Sequence, residues 1–188
     1  MFRLFCLFIF WIQGWKISNW NVGDLKKYVI IALPHTSNWD FIIAIAVFKH
    51  LKIPMKFTIK DSWLKFPFGH IVKPLGAIGI KRNLASGMVN YMADLITNHP
   101  TEIALVVTPE GTRSKVEKWK TGFYHIALKA NLPIALGYVD YAKKEAGVAK
   151  LIYPSGDIKK DMEEIIAFYK TITPKHPEGS HLSNKLYD

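Results

Sequence analysis

Short apolar runs alternate with longer amphipathic segments along most of the chain. Runs rich in β-branched and aromatic residues, bounded by polar or turn-forming residues, predict strands at 28–33, 55–59, 78–81, 103–107, 133–139 and 148–153. Helical periodicity predicts helices at 41–51, 85–97, 122–130 and 162–171, with a helical turn at 62–66 and an irregular tail from 173. This alternation predicts a single α/β domain over residues 21–188, with a mostly parallel central sheet flanked by helices.

The first 20 residues are a separate apolar segment. Residues 1–12 are apolar except for Arg3, and residues 11–20 contain three tryptophans and Lys16. The segment is too short to span a bilayer, which takes roughly 20 apolar residues. Bulky Trp15 and Lys16 stand where a cleaved signal peptide would have small residues. We therefore predict a short, retained, membrane-associating helix within residues 1–20; the alternative is a helix packed on the domain's own core.

Composition narrows the choice of partners. The 188 residues are enough for one domain with a core of its own, and the single Cys6 cannot form an intramolecular disulfide, which fits a reducing compartment. A net charge of +10 attracts polyanions, but 49% hydrophobic residues with eleven Phe and six Trp are untypical of a nucleic-acid binder. We expect membrane lipid rather than nucleic acid as partner, and a peripheral or monotopic position on the cytoplasmic face of a membrane.

Two polar clusters follow predicted strands, where ligands of open α/β sheets bind. In the first, His35 could accept a proton from a hydroxyl while Asp40, five residues on, orients the imidazole. In the second, Gly111 would let backbone approach a ligand, and Arg113 offers a bidentate donor for phosphate. The alternative for the second cluster is a loop in which Glu110 and Arg113 pair with each other. Together the clusters suggest an enzyme that transfers an acyl group.

These motifs resemble those of the glycerophospholipid acyltransferase family. Residues 35–40 match its H-x4-D motif and residues 109–114 its P-E-G-T-R-S motif, while residues 60–69 resemble K-x-x-L…P-x-x-G and residues 79–82 the strand that ends in a phosphate-binding arginine. Order and spacing agree from about residue 28 to 139. Residues 132–136 keep only the first proline of the fourth motif, Thr108 replaces a common phenylalanine, and the N-terminal region is shorter than the family's usual two-helix anchor.

The resemblance implies a role for each matching residue. His35 would be the general base on the acceptor hydroxyl and Asp40 its orienting partner. The residues implied to hold the acceptor phosphate or shape its pocket are Lys60, Arg82, Glu110, Gly111, Thr112 and Arg113. The implied acyl donor is a thioester on acyl carrier protein or coenzyme A, whose chain lies in an apolar groove, and no metal or redox cofactor is expected.

The function expected from this resemblance is acyl transfer to the free hydroxyl of a lysophospholipid. We favour 1-acylglycerol 3-phosphate as the acceptor, giving phosphatidate. One alternative is another acceptor, such as a lyso-aminolipid, and another is a non-catalytic lipid-binding relative. A thioesterase or lipase acting through Ser37 is weaker, because no G-x-S-x-G sequence surrounds that serine.

Overall fold

Seven strands and six helices follow one another in the computed structural model, which describes residues 2–18, 20, 24–80, 87–111 and 118–179. The strands are β1 (Lys16–Ile17), β2 (Lys27–Leu33), β3 (Met55–Lys60), β4 (Ala77–Ile80), β5 (Ile103–Val107), β6 (Ile134–Asp140) and β7 (Glu145–Ile152). The helices are α1 (Phe2–Ile12), α2 (Asn38–His50), α3 (Gly69–Val72), α4 (Met88–Thr97), α5 (Gly122–Ala130) and α6 (Ile158–Tyr169), with 3-10 turns at Asp61–Leu64 and Pro177–Gly179.

The strands form one sheet in the order β1-β7-β6-β2-β5-β3-β4. All its neighbouring strands are parallel except β6 and β7, which run antiparallel and are joined by the tight turn 141–144. The predicted α/β fold with a mostly parallel sheet is therefore confirmed. The β2 strand lies in the middle, between β6 and β5, which places residue 35 at the centre of the carboxyl edge of the sheet.

Alternation along β2 divides the core into two layers. Val29, Ile31 and Leu33 point to the face that α4, α5 and α6 cover, whereas Tyr28 and Ile30 point to the face that α1 and α2 cover. A central strand buried on both faces needs apolar side chains at nearly every position. This explains why β2 reads as a continuous apolar run rather than as an alternating one.

Most predicted elements are present, with shifted ends. The α2 helix begins three residues before the predicted 41–51 segment, because Ser37 caps it. Strand β7 begins at Glu145 rather than at residue 148. The tight turn after β6 brings Glu145 opposite Asp140, so pairing between β6 and β7 starts directly after the turn. The two-residue strand β1 was not predicted; its pairing partner β7 lies almost 130 residues away in sequence. Residues 81, 85–86 and 180–188, to which predicted elements or the tail extended, lie outside the described residues.

The N-terminal helix α1 packs on the domain through one side. Cys6 and Phe10 are buried in the layer that contains α2, as the core-packing alternative predicted. The opposite side is apolar and open, since Leu4, Phe8 and Ile12 are each more than 60% exposed. No helix among the described residues is long and apolar enough to cross a bilayer. Association of this open side with a membrane stays a prediction.

Candidate active site

The pairing of β2 with β5 brings the two predicted polar clusters together. Ile31 lies opposite Val107, so the residues that follow each strand meet at the carboxyl edge of the sheet. There the backbone N–H of His35 donates to Oε2 of Glu110 at 2.9 Å. The clusters are 75 residues apart in sequence, and the sheet register alone makes them neighbours.

His35 and Asp40 form a pair within this edge. Nδ1 of His35 lies 3.4 Å from Oδ2 of Asp40, and their side chains are 19% and 6% exposed. The imidazole is therefore partly open to solvent while the carboxylate is buried. A carboxylate on one ring nitrogen fixes the tautomer and leaves the other nitrogen, Nε2, to face a reactant.

The same carboxylate holds the start of α2. Oδ2 of Asp40 accepts hydrogen bonds from the backbone N–H groups of Thr36 at 2.9 Å and Ser37 at 2.7 Å. Oγ of Ser37 in turn accepts from the N–H of Trp39 at 3.2 Å, which completes a capping box. The residues between the histidine and the aspartate thus form a helix cap, and this cap sets the direction in which Asp40 faces His35.

Tyr141 is a site residue that the sequence did not reveal. Its hydroxyl donates to Oδ1 of Asp40 at 2.7 Å, and its ring packs edge-on against Trp15 with centroids 5.0 Å apart. The tyrosine lies in the turn between β6 and β7, 101 residues beyond Asp40. A tyrosine in a turn after a buried strand is a common feature, so no local signal distinguishes this one; the antiparallel return of β7 places it here.

Glu110 is a second buried carboxyl group beside the histidine, and it is 6% exposed. Burial is the largest influence and raises the pKa of Glu110 above its ordinary value, and the nearby Asp40 raises it further. The hydrogen bond from the His35 N–H and the charge of His35 act in the opposite direction. The ionised form of Glu110 is therefore less favourable here than in water.

Gly111 and Lys120 complete the described part of this edge. Gly111 has a φ of +64°, and a Cβ atom at this position would lie 3.2 Å from Nζ of Lys120. The backbone N–H of Lys120 donates to the carbonyl of Pro109 at 2.9 Å, which keeps the two segments together. Lys120 therefore brings a cation to the site, nine residues beyond the glycine. The sequence pattern did not indicate this lysine, although it is one of the first basic residues after the second motif.

A mostly apolar cavity of about 390 Å³ opens beside the histidine. It lies between α2 and the sheet, and its walls include His35 and Asp40 at one end and Phe41, Phe48, Met55 and Val106 further along. A volume of this size and an apolar lining with few polar groups are typical of ligand sites. The arrangement offers a proton acceptor at the mouth of a space suited to a hydrocarbon chain.

Comparison with known proteins identifies the family. The family model named Acyltransferase matches residues 16–136, well over half of the chain. The chain belongs to the acyltransferase family. The match includes both polar clusters and the strands that bring them together, and it confirms the resemblance to glycerophospholipid acyltransferases. No curated protein sequence matches the chain.

The fold of this acyltransferase is also found among solved structures. The crystal structure of the 1-acyl-sn-glycerophosphate acyltransferase PlsC from Thermotoga maritima aligns with a TM-score of 0.62 at 17% identity. The alignment covers 90% of this chain and 77% of the other. At this identity the likeness concerns the fold, which agrees with the single α/β domain described above.

The remaining residues that the family resemblance implies are only partly described. Lys60 ends β3 and is exposed on the same edge of the sheet as His35, two strands away, and it lies outside the described lining of the cavity. Arg82, Thr112 and Arg113 lie outside the described residues. Their roles in this acyltransferase stay predictions.

Proposed function

We propose that this acyltransferase transfers a fatty acyl group from a thioester, on acyl carrier protein or coenzyme A, to the free hydroxyl of a lysophospholipid. The favoured acceptor is 1-acylglycerol 3-phosphate, and the product is then phosphatidate. The observation that carries the proposal is the buried carboxylate that fixes His35 at the mouth of an apolar cavity. The proposed base for the acceptor hydroxyl thus lies beside a cavity that could hold the acyl chain.

In the proposed reaction Nε2 of His35 removes the proton of the acceptor hydroxyl. The hydroxyl oxygen attacks the thioester carbonyl carbon, a new C–O bond forms and the C–S bond breaks. The departing thiolate takes the proton back from the imidazolium, so the products are an ester and a free thiol and the enzyme is unchanged. Asp40 stabilises the imidazolium between the two proton transfers.

The acceptor phosphate is proposed to bind on the cationic side of the histidine. Lys120 supplies a described cation near Gly111, and Lys60, Arg82 and Arg113 are the further cations that the family resemblance implies. If the acceptor carries phosphate, replacing Arg82 or Arg113 with glutamine should weaken its binding by about 2–5 kcal/mol, the cost of leaving a desolvated charge unpaired. Unchanged affinity would favour an acceptor without phosphate, such as a lyso-aminolipid.

The acyl chain of the donor is proposed to lie in the cavity between α2 and the sheet, whose lining from Phe41 to Phe48 is mostly apolar. Both substrates carry long apolar chains, so we also propose that the protein works at the cytoplasmic face of a membrane, to which α1 attaches through its exposed apolar side.

The test is an acyl-transfer assay with purified protein. Acyl carrier protein and coenzyme A thioesters are offered with a panel of lysophospholipids and lyso-aminolipids, and the products are identified by mass spectrometry. We expect one acceptor class to be esterified and the same protein with His35→Ala to lose nearly all of this activity. A folded wild-type protein that esterifies none of the acceptors would overturn the proposal and favour a non-catalytic lipid-binding protein.

A further inference from the structure

The connection between β3 and β4 exposes several large apolar side chains. Trp63 is 48% exposed, Phe66 84%, Phe68 51% and Ile71 52%. We refer to residues 63–71 as the aromatic loop. Clusters of this kind on a soluble surface usually mark a place where another apolar surface binds.

The aromatic loop has a fixed backbone. A Cβ atom at Gly69 would lie 2.1 Å from the carbonyl oxygen of Leu64, so the two turns of the loop are packed together as closely as glycine allows. Leu75, just beyond the loop, is buried in the core layer that contains α1 and α2. The outward side chains pack on each other instead: Trp63 on Phe68, with ring centroids 5.0 Å apart, and Phe66 on His70 at 5.9 Å.

The loop adjoins the exposed side of α1. The guanidinium of Arg3 donates to the carbonyl oxygen of Pro74 at 3.0 Å, which ties the first turn of α1 to the end of the connection. Leu4 and Phe8 on α1 are each 62% exposed. Leu75, which follows the loop, lies in the same core layer as Cys6 and Phe10 of α1. The loop therefore leads into the part of the molecule that α1 also covers.

The charges around these surfaces are basic. Residues 60–76 contain three lysines and one aspartate, and residues 1–23 contain Arg3 and Lys16 and no acidic residue. Lys65 and Lys73, on either side of Phe68, are both exposed. Aromatic side chains at head-group depth with lysines beside them are typical of attachment to an anionic bilayer.

We propose that the aromatic loop is a second membrane contact, which inserts into an anionic lipid surface beside α1. This rests on the proposed function, because a lipid acceptor requires the enzyme to meet a bilayer. The loop starts three residues after β3 ends, at the edge of the sheet where His35 lies. Contact through the loop therefore brings the active-site edge towards the lipid surface.

A bilayer fits this surface better than an acidic protein does. Phe66 stands almost fully in solvent on the loop rather than in a pocket, and the apolar side chains outnumber the lysines among them. Protein partners hold such side chains in complementary pockets at the centre of an interface, whereas a fluid bilayer accepts a projecting aromatic side chain of any shape.

The experiment measures sedimentation with sucrose-loaded vesicles made either of phosphatidylcholine alone or of phosphatidylcholine mixed with phosphatidylglycerol. We expect Phe66→Ser with Ile71→Ser to lower partitioning into the mixed vesicles roughly tenfold or more, because two apolar side chains no longer leave water. The matched control is Leu128→Ser with Tyr153→Ser; these side chains are 41% and 65% exposed, on α5 and after β7. The control should bind like the wild type.

A second variant tests the charge. Lys65→Gln with Lys73→Gln should lower binding to the mixed vesicles roughly fivefold for each lysine, and the difference should vanish in about 1 M salt, where the Debye length is near 3 Å. Lys129→Gln, on α5, is the control that should bind normally. Brominated lipids should quench the fluorescence of Trp63. The total quenching should therefore be smaller in the Trp63→Phe protein than in the wild type.

Vesicle binding by the Phe66→Ser, Ile71→Ser protein that equals that of the wild type would overturn the proposal. If binding to acyl carrier protein is weakened at the same time, the loop is a protein-docking site. Acyl transfer to a lysolipid in detergent micelles is measured alongside and should be unaffected by the loop variants. Absence of transfer in the wild type with the expected vesicle results would overturn the proposed function and leave the membrane contact intact.

Discussion

Two buried carboxyl groups flank His35, and they differ in what surrounds them. Asp40 is 5% exposed and Glu110 is 6% exposed. Asp40 accepts hydrogen bonds from two backbone N–H groups and the Tyr141 hydroxyl and faces the imidazole, whereas the described hydrogen bond of Glu110 comes from the His35 backbone. With nearly equal burial, Asp40 thus has three hydrogen-bond donors, whereas burial opposes the ionisation of Glu110.

The difference indicates a division of labour. Donors around Asp40 fix both oxygens, so its charge can orient the imidazole and stabilise the imidazolium. Glu110 holds the backbone of His35 rather than its ring, so its contribution is to the position of the residue. Substitutions can test this division, beginning with His35, which both carboxyl groups contact.

Removing the proposed base should have the largest effect. His35→Ala is expected to lower kcat roughly 10²–10⁴-fold, the range for loss of a positioned general base. Steady-state acyl transfer, measured beside the thermal transition of the variant, checks this. A folded His35→Ala protein with near-normal kcat would mean that His35 is not the base.

Asp40→Asn should reduce both activity and stability. The amide has one oxygen and no charge, so it cannot accept from the Ser37 N–H and the Tyr141 hydroxyl as the carboxylate does. We expect kcat to fall on the order of 10²-fold and the free energy of unfolding to fall by about 1.5–3 kcal/mol, measured by denaturant titration. Lost stability with a normal kcat would reduce Asp40 to a helix cap.

Tyr141→Phe should show whether the third donor to Asp40 matters for turnover. Losing this hydrogen bond should lower stability by about 1 kcal/mol. If the bond also orients the carboxylate, kcat falls by roughly five- to tenfold, with KM little changed.

The matched control for that variant is Tyr124→Phe. The Tyr124 hydroxyl donates to Oδ2 of Asp161 at 2.8 Å, on the other face of the sheet. This hydroxyl also accepts from the backbone N–H of Gly156 at 3.2 Å, so we expect a loss of stability at least as large as that of Tyr141→Phe and an unchanged kcat. Equal kcat values for the two variants would show that Tyr141 has a structural role alone.

Ser37→Ala should affect stability and leave the chemistry unchanged. The serine oxygen caps α2 through the Trp39 N–H, and loss of such a cap costs about 1 kcal/mol. We expect kcat within about twofold of the wild type. A large loss of thioester hydrolysis in the absence of acceptor would instead indicate a covalent serine mechanism.

The smallest effect concerns how stability depends on pH. The pKa of Glu110 in the folded state lies above its ordinary value of 4.5. Between pH 4.5 and the folded-state pKa, the folded protein therefore binds more protons than the unfolded protein. Its contribution to stability is complete below pH 4.5 and is lost as pH rises through the folded pKa. The Glu110→Gln protein has no carboxyl group at this position to ionise, so it does not show this loss of stability.

Chemical denaturation of both proteins from pH 4 to pH 8 checks the sign. The free energy of unfolding of the wild type should fall relative to that of the Glu110→Gln protein as pH rises through this window. A wild type that gains stability relative to the variant would mean that the hydrogen bond from the His35 N–H outweighs burial at Glu110.

The sequence predicted the fold and the proximity of His35 to Asp40 because the relevant signals are local. Apolar runs and helical periodicity place β2, α2 and β5 within a few residues of their observed ends, since burial on one or two faces dictates these patterns. The His35–Asp40 pair was predictable for the same reason: the two residues belong to one helix cap, which a span of six residues encodes.

Tertiary structure decided the rest. The hydrogen bonds from Tyr141 to Asp40 and from Arg3 to Pro74 join residues that are 101 and 71 positions apart in sequence. The first depends on the turn that returns the chain between β6 and β7, and the second depends on the packing of α1 on the domain. The residues that finally touch encode neither of these. The sequence therefore determined which side chains could perform acyl transfer, and the sheet determined which partners hold them in place.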